Sequence, residues 1–371
     1  MAKIATFDDW VDVFREWQKD IGYDAKLLGD YRFEAKFGDV KTQEIEFGDY
    51  AGGRKWESLM EIPDQRIRDA LLHLIIYQGD TEFASVEQQR DLIDTAPTDY
   101  DLQSLVRVNR EEMRHGFQMC NLLVNYFGNP GKVEAQKMME RRAYKKNRLL
   151  GAFNGDVDNW LDFFAYTQFV DRDGKYQLTM LSHSGFAPVA RSMVAMLKEE
   201  YYHLLTGHTG LLRIVKAGKI PLPIVQKYLN KWIPMAIDLF GTDHSSTAHW
   251  TYVWGLKGRY DEAPGKEPAD KERLNEAARA LYLHEISGLL EALNKEIPAG
   301  QPHLYVPSEK FRREIGEFAG EPYSVHGEVL SPEAHEKHLE EVLPGPVDEA
   351  LLRDLLKEKN WIVPVERGAA S

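Results

Sequence analysis

The chain carries one cysteine, Cys120, and that scarcity excludes an intrachain disulfide and any iron–sulfur cluster held by the usual set of thiolates. A reducing, cytoplasmic setting is the natural expectation. Long apolar runs are also missing. The most apolar stretch, residues 71–77, is interrupted by His73 and falls far short of the roughly 20 residues that span a bilayer. Positive charge is in deficit, with 46 Lys and Arg against 59 Asp and Glu for a net charge of −13. A general nucleic-acid binder, which must neutralise phosphates, is therefore excluded, although a local basic patch for an anionic ligand is not. Phosphate-loop and dinucleotide-fold glycine signatures are absent, so reducing equivalents would have to come from another protein. The opening MAKIATFDDWVDVF is acidic and aromatic, unlike a secretory signal.

What is present is ordinary in bulk: 43% hydrophobic and 28% charged residues over 371 positions, enough for a sizeable buried core in one large or two average domains. Periodicity predicts an all-α chain. One helix covers residues 7–20, and an irregular cap with one short strand pair follows to about residue 62. Asp64 then caps a helix over 64–93 whose stripe is Leu71, Ile75, Gln78, Glu82 and Ser85. Thr98 opens a second, reaching Phe127 and closed by Gly128 and Pro130, with Leu105, Val108, Glu112, His115, Met119 and Leu122 on one face. A third, 156–173, turns Leu161, Phe164, Gln168 and Asp171 the same way and ends at Gly174. Asp173, two residues on from Asp171, points roughly 200° away. The fourth, 188–217, aligns Met193, Met196, Glu200, His203 and Gly207. Between the pairs, residues 132–148 form a short basic helix, either a solvated face or a contact for the phosphates of a nucleotide-bearing substrate. Further helices are expected at 222–239, 270–295, 332–342 and 347–358. The domain reading is a cap over 1–62, a four-helix bundle over 63–220 and additional helices packed on it over 221–371.

The chemistry lies in a repeated spacing. Glu112 and His115 are three apart on one helix, and Glu200 and His203 repeat them 88 residues on. Residues so spaced share a helical face. With 12 histidines and 59 acids in 371 positions, about two such pairs arise by chance, so the motif alone decides little. Position decides more: Glu82 lies 30 residues before Glu112, and Asp171 lies 29 before Glu200, each on the inward stripe of its own helix. Acid, acid-x-x-His, acid, acid-x-x-His on four facing helices is the ligand pattern of carboxylate-bridged di-iron or di-manganese bundles. Inward carboxylates are opposed by desolvation and mutual repulsion unless cations neutralise them. A mixed set of carboxylate and imidazole donors suits iron, with manganese as the alternative. Gln78, one turn before Glu82, reads either as a satisfied core amide or as a donor to a substrate carbonyl. Lys257 and Arg259, in the stretch GLKGR, read as substrate phosphate contacts. His335 and His338 have metal-like spacing in a highly charged helix and receive no role.

The blocks QGDTEFASVEQQRDLIDTAPTDYDL, VRVNREEMRHGFQM, LGAFNGDVDNWLDFFAYTQFVDRDGKYQL and LFGTDHSSTAHWTYVWGLKGRYDE resemble the oxygenase components of benzoyl-CoA 2,3-epoxidases. The catalytic subunits of phenylacetyl-CoA 1,2-epoxidases are similar at greater distance. The resemblance runs from about residue 60 into VPSEKFRREIGEFAG and NWIVP. It implies a ferritin-like di-iron fold, dioxygen as co-substrate, an aryl-CoA thioester and a separate NADPH-dependent reductase. The family's iron ligands fall on Glu82, Glu112, His115, Asp171, Glu200 and His203. Phe83, Met113, Tyr201 and Tyr202 depart from the pattern beside those ligands, and as near neighbours they are expected to shape the pocket. A non-catalytic ferritin-like metal carrier or scaffold, or a di-iron hydroxylase or desaturase acting on another acyl-CoA, is the alternative. Homo-oligomerisation is left open.

Overall fold

The computed structural model describes residues 4–263, 266, 273–358 and 360–365. Helix α1 (Phe7–Asp20) and the single turn α2 (Ala25–Leu28) precede α3 (Gln65–Gln89), α4 (Asp99–Tyr126) and α5 (Gly128–Glu140). Next come α6 (Trp160–Ser182), α7 (Ala187–Ala217), α8 (Leu222–Leu239) and α9 (Ser246–Val253). The chain continues through α10 (Leu274–Asn294), α11 (Pro332–Val342) and α12 (Pro346–Leu355). No strand forms among the described residues; the expected strand pair near the N-terminus reduces to isolated bridges, Glu44 with Arg54 and Trp56 with Phe186. The architecture is the expected all-α, ferritin-like bundle of α3, α4, α6 and α7 with flanking helices. Among the described residues, no helix is long and apolar enough to cross a membrane.

Local chemistry starts each bundle helix. Asp64 accepts the Arg66 amide at 2.8 Å, Thr98 that of Asp101 at 3.2 Å, and Asn159 that of Asp162 at 3.0 Å, each satisfying an amide that the first turn leaves free. Pro188 sits in the first turn of α7, where its missing N–H costs nothing. At its other end, α7 stops on Gly218, whose φ of 61° suits a residue without Cβ. Within the bundle, α6 and α7 approach very closely. A Cβ on Gly207 would lie 2.4 Å from the Gln168 backbone nitrogen, so only glycine fits there. That contact is one turn beyond His203 and sets how near α7 stands to α6.

Two aromatic-rich clusters hold this frame. On one side α1 lays Trp10, Phe14 and Trp17 across α3 and α4, meeting Phe83 and Phe117 at ring distances of 5.1–6.4 Å. The indole of Trp17 donates to Glu87 at 2.8 Å. On the other, Trp160, Phe163, Phe164, Tyr166 and Phe169 of α6 pack with Trp232 and Ile233 of α8 and Tyr282 of α10. Burial of this kind contributes about 25 cal/mol per Å² of apolar surface, which makes these clusters the main support of the site.

Four expectations differ in detail. Helix α6 does not end at Gly174 but continues to Ser182, because its buried stripe resumes at Leu178 and Leu181. The expected basic helix starts at Gly128, directly after α4, and ends at Glu140. The arginines that follow it are not a solvated face: Arg148 is buried between Asp80 and Glu87 at 3.1 and 2.8 Å, and Arg141 reaches Asp80 at 3.2 Å. Paired inside, these two are already neutralised by α3. The C-terminal helix covers 346–355 rather than 347–358. The expected start of α10 at residue 270 lies outside the described residues.

Candidate metal centre

Each bundle helix buries its acidic position one turn from other buried residues, apolar beside Glu112 (Val108) and Glu200 (Met196, Leu204), and polar beside Asp171 (Thr167, Gln168). Glu82, Glu112, His115, Asp171, Glu200 and His203 are all buried. Five of them form two overlapping groups, Glu82 with His115 and Glu200, and Glu112 with Glu200 and His203, whose ligand atoms lie within 4.8 Å of one another. His115 Nδ1 stands 3.2 Å from Glu82 Oε2 and 3.4 Å from Glu200 Oε1. His203 Nδ1 stands 3.2 Å from Glu112 Oε1 and 3.4 Å from Glu200 Oε2. Glu200 is thus shared, one oxygen toward each imidazole. Asp171 lies outside both groups, although it lines the same chamber as Glu82, Glu112 and Glu200.

The donor set fits a pair of divalent cations. Asp171 Oδ2, Glu200 Oε2 and His203 Nδ1 are buried without an aligned hydrogen-bond partner, a costly condition that a cation would relieve. Ionisation is frustrated in the same direction. Desolvation and then repulsion from Glu82 push the Glu112 carboxyl well above its ordinary range. Desolvation does the same to Asp171, with Glu200 and Glu82 adding to it. Burial opposes charge on His115 and His203, but the surrounding carboxylates outweigh it and raise both imidazoles. Protons are therefore held here, where metal ions would displace them.

The outer nitrogens of both histidines are also fixed. His115 Nε2 meets Glu199 Oε2 at 3.0 Å, and His203 Nε2 meets Glu111 Oε2 at 3.1 Å. Each outer acid precedes a ligand-set glutamate in sequence but serves the histidine of the opposite helix. Arg114, itself buried, holds Glu199 at 2.5 Å, and Arg107 holds Glu111 at 2.9 Å. Such contacts orient an imidazole and set its tautomer. The sequence reading misses Glu111 and Glu199. Their signal is the doubled acid in REEMRH and KEEYYH.

Above the carboxylates opens a chamber of about 300 Å³, walled by apolar residues that include Leu74, Phe153, Val170, Leu178 and Leu181. Gln78 lines it and donates to Glu82 Oε1 at 2.5 Å. Lys257 lines it too, whereas Arg259 does not and pairs with Asp261 and Glu262 at 3.4 and 3.6 Å. Asp173 proves to be buried and in the lining as well. The chamber extends past α6 toward α9 and α10, so positions on more than one face of α6 reach it. Burial raises Asp173 to about 7 and lowers Lys257 to about 8. The departures beside the ligand set do not shape this space. Phe83 packs on Trp17 and fills the room left by Gly116, and Met113 accepts from Gln18. Tyr202 donates to Ser104 beneath Arg107, and Tyr201 is 72% exposed.

A sequence profile of the family described as phenylacetic acid catabolic protein matches residues 60–314, which span all four bundle helices and the chamber. The chain is 33% identical to benzoyl-CoA oxygenase component B of Aromatoleum evansii, over 97% of its own length and 92% of that protein's. It is 21% identical to one of the subunits of 1,2-phenylacetyl-CoA epoxidase from Escherichia coli K12, over 67% of its own length and 75% of that protein's. With the profile covering well over half of its residues and one relative matched almost end to end, the chain belongs to the phenylacetic acid catabolic protein family.

Proposed function

We propose that this chain is the oxygenase component of a two-component system that epoxidises the aromatic ring of a CoA thioester, benzoyl-CoA or a related aryl-CoA. The observation that carries the reading is the pair of nitrogen-and-oxygen ligand groups sharing Glu200 and opening into an apolar chamber. The names of the two relatives, an oxygenase component and part of an epoxidase, support the same class of chemistry.

Glu82, Glu112, His115, Asp171, Glu200 and His203 would hold two iron ions, with manganese as the alternative. When bound, such a pair supplies two-electron reduction of dioxygen. The balance is one oxygen atom to a ring carbon–carbon bond and the other to water, at the expense of two electrons and two protons. No dinucleotide fingerprint occurs in the chain, so the electrons are assigned to a separate NADPH-dependent reductase.

The chain's own groups bind, orient and exclude water. Glu111 and Glu199 fix the imidazoles through their Nε2 atoms. The walls at Leu74, Phe153 and Leu178 receive the ring and keep the site dry. Gln78 lines the chamber beside Glu82, and we assign its amide as a donor to the thioester carbonyl.

Anaerobic reconstitution with ferrous iron, followed by metal analysis, tests the site. Two ions per chain are expected, and fewer than about one removes it. Oxygen and NADPH uptake are then followed with a matched reductase and benzoyl-CoA, and the thioester product is weighed. A gain of one oxygen atom is the expected result. Oxygen consumption with no modified thioester overturns the assignment, and a hydroxylated or desaturated thioester moves it to another acyl-CoA oxidation.

A further inference from the structure

The chamber lining is not uniformly apolar. Besides the acids of the metal centre, it carries Asp173 and Gln177 from α6, Lys257 from the segment after α9, and Asn275 from α10. Asp173 is 3% exposed, and among the described residues its one side-chain hydrogen bond is from Gln177 Nε2 at 3.1 Å. Half-buried Lys257 donates to Asn275 Oδ1 at 3.3 Å and meets no carboxylate within ion-pair distance among the described residues. An acid and an ammonium therefore share one cavity wall, each favouring the other's charge across it but with no direct ion pair between them. Each keeps unused hydrogen-bonding capacity.

Half-satisfied charges away from water are costly, and the cost is recovered only when something in the cavity completes them. An unsubstituted aryl ring offers nothing to either group. A second carboxylate on the ring would suit Lys257 but face Asp173 with like charge, and an amine would have the converse fault. A carbonyl would serve Lys257 alone. A hydroxyl is both donor and acceptor, and it completes both groups at once.

Resting on the acyl-CoA reading above, we propose that the aryl group accepted by this chamber carries a ring hydroxyl, donating to the Asp173 carboxylate and accepting from the Lys257 ammonium. The preferred substrate class is then a hydroxyaryl-CoA thioester, with benzoyl-CoA accepted more weakly. A site built around a hydroxyl discriminates strongly against the analogue that lacks it, because its own buried groups are left unpaired.

Titration calorimetry on the metal-reconstituted protein tests this with coenzyme A, benzoyl-CoA and the three ring isomers of hydroxybenzoyl-CoA. At least one isomer should bind about tenfold more tightly than benzoyl-CoA or better, as expected for a hydrogen bond to a charged partner. In Lys257→Met and in the near-isosteric Asp173→Asn that preference should shrink toward one, with metal content kept. Benzoyl-CoA binding as tightly as every isomer overturns the inference alone, as does a preference that survives in both variants. If no thioester binds more tightly than coenzyme A, the acyl-CoA reading itself falls and this inference falls with it.

Discussion

Glu199 and His115 sit on different helices, α7 and α4, yet Glu199 Oε2 lies 3.0 Å from His115 Nε2. Glu111 and His203 repeat the relation in the opposite direction at 3.1 Å. Each helix thus supplies the ligand-set pair and also the acid that holds its partner's histidine, so the two imidazoles cannot reorient independently. Replacing Glu199 by Gln keeps an acceptor for His115 but removes the charge that also neutralises buried Arg114. We expect Glu199→Gln to lower metal affinity about 10–100-fold with the helical fold retained. Competition against a chelator of known affinity measures it. An unchanged metal affinity would remove the orienting role.

Much of this centre was legible in the sequence, because the acids and histidines recur at helical spacing on buried faces and the caps that open two of the helices, Asp64 and Thr98, are chemically distinct. The outer acids escaped notice because Glu111 and Glu199 lie about 100° off those faces, where an exposed residue is the ordinary expectation. Gly174 read as a helix end, since glycine usually marks one, but α6 is held in place by Leu178 and Leu181 beyond it. Lys257 reaches the chamber as GLKGR suggested, whereas Asn275 does so only through the packing of a segment far from the bundle in sequence. No local pattern announces that. The tyrosines beside Glu200 adjoin it in sequence but not at the chamber, because on a helix successive residues diverge by about 100°.

Glu200 is shared between both ligand groups, while Glu112 belongs to one. Glu200→Ala should therefore abolish binding of both ions, whereas Glu112→Ala should leave the Glu82, His115 and Glu200 group able to retain part of one. Metal analysis after reconstitution separates these outcomes. Full occupancy in both variants would mean that these side chains are not the ligands.

Close helix packing should matter as much as the ligands. At Gly207 an added methyl group meets the Gln168 backbone at 2.4 Å, and backbone cannot rotate out of the way. Gly207→Ala should cost about 1–3 kcal/mol by overpacking and weaken metal binding, because α7 carries Glu200 and His203 away from α6 as it yields. Thermal unfolding and metal titration of the same variant check both. Loss of stability with unaltered metal affinity would show that the centre tolerates this displacement.

The metal-free protein should lose stability as the pH rises. His115 and His203 are raised above the ordinary value of 6.5, with burial opposing the shift and neighbouring carboxylates producing it. A group that binds its proton more tightly when folded stabilises the fold fully below its unfolded pKa, and that contribution disappears as the pH passes the folded value. Raised Glu112 and Asp171 act in the same sense. Bound cations replace the protons, so the metal-loaded protein should show a flatter profile over the same window. Melting curves at successive pH values from 6 upward, with and without metal, provide the test; a metal-free midpoint that climbs with pH would contradict the assigned ionisation.

Gly174 separates binding of the substrate from binding of the metal. It lies inside α6 and in the chamber lining, and a Cβ there meets no heavy atom within 4 Å. A glycine in a helix interior is about 0.5–1 kcal/mol less stable than alanine. Gly174→Ala should therefore raise stability by roughly that amount. Gly174→Leu should keep the fold while its side chain occupies space that the acyl group would take. Affinity for the thioester is expected to fall at least about tenfold, the loss that about 1.4 kcal/mol of steric conflict produces, with metal content unchanged. Calorimetry with benzoyl-CoA alongside metal analysis reads both quantities. Undiminished thioester binding in Gly174→Leu would place the acyl group somewhere other than this chamber, even if the metal centre stands.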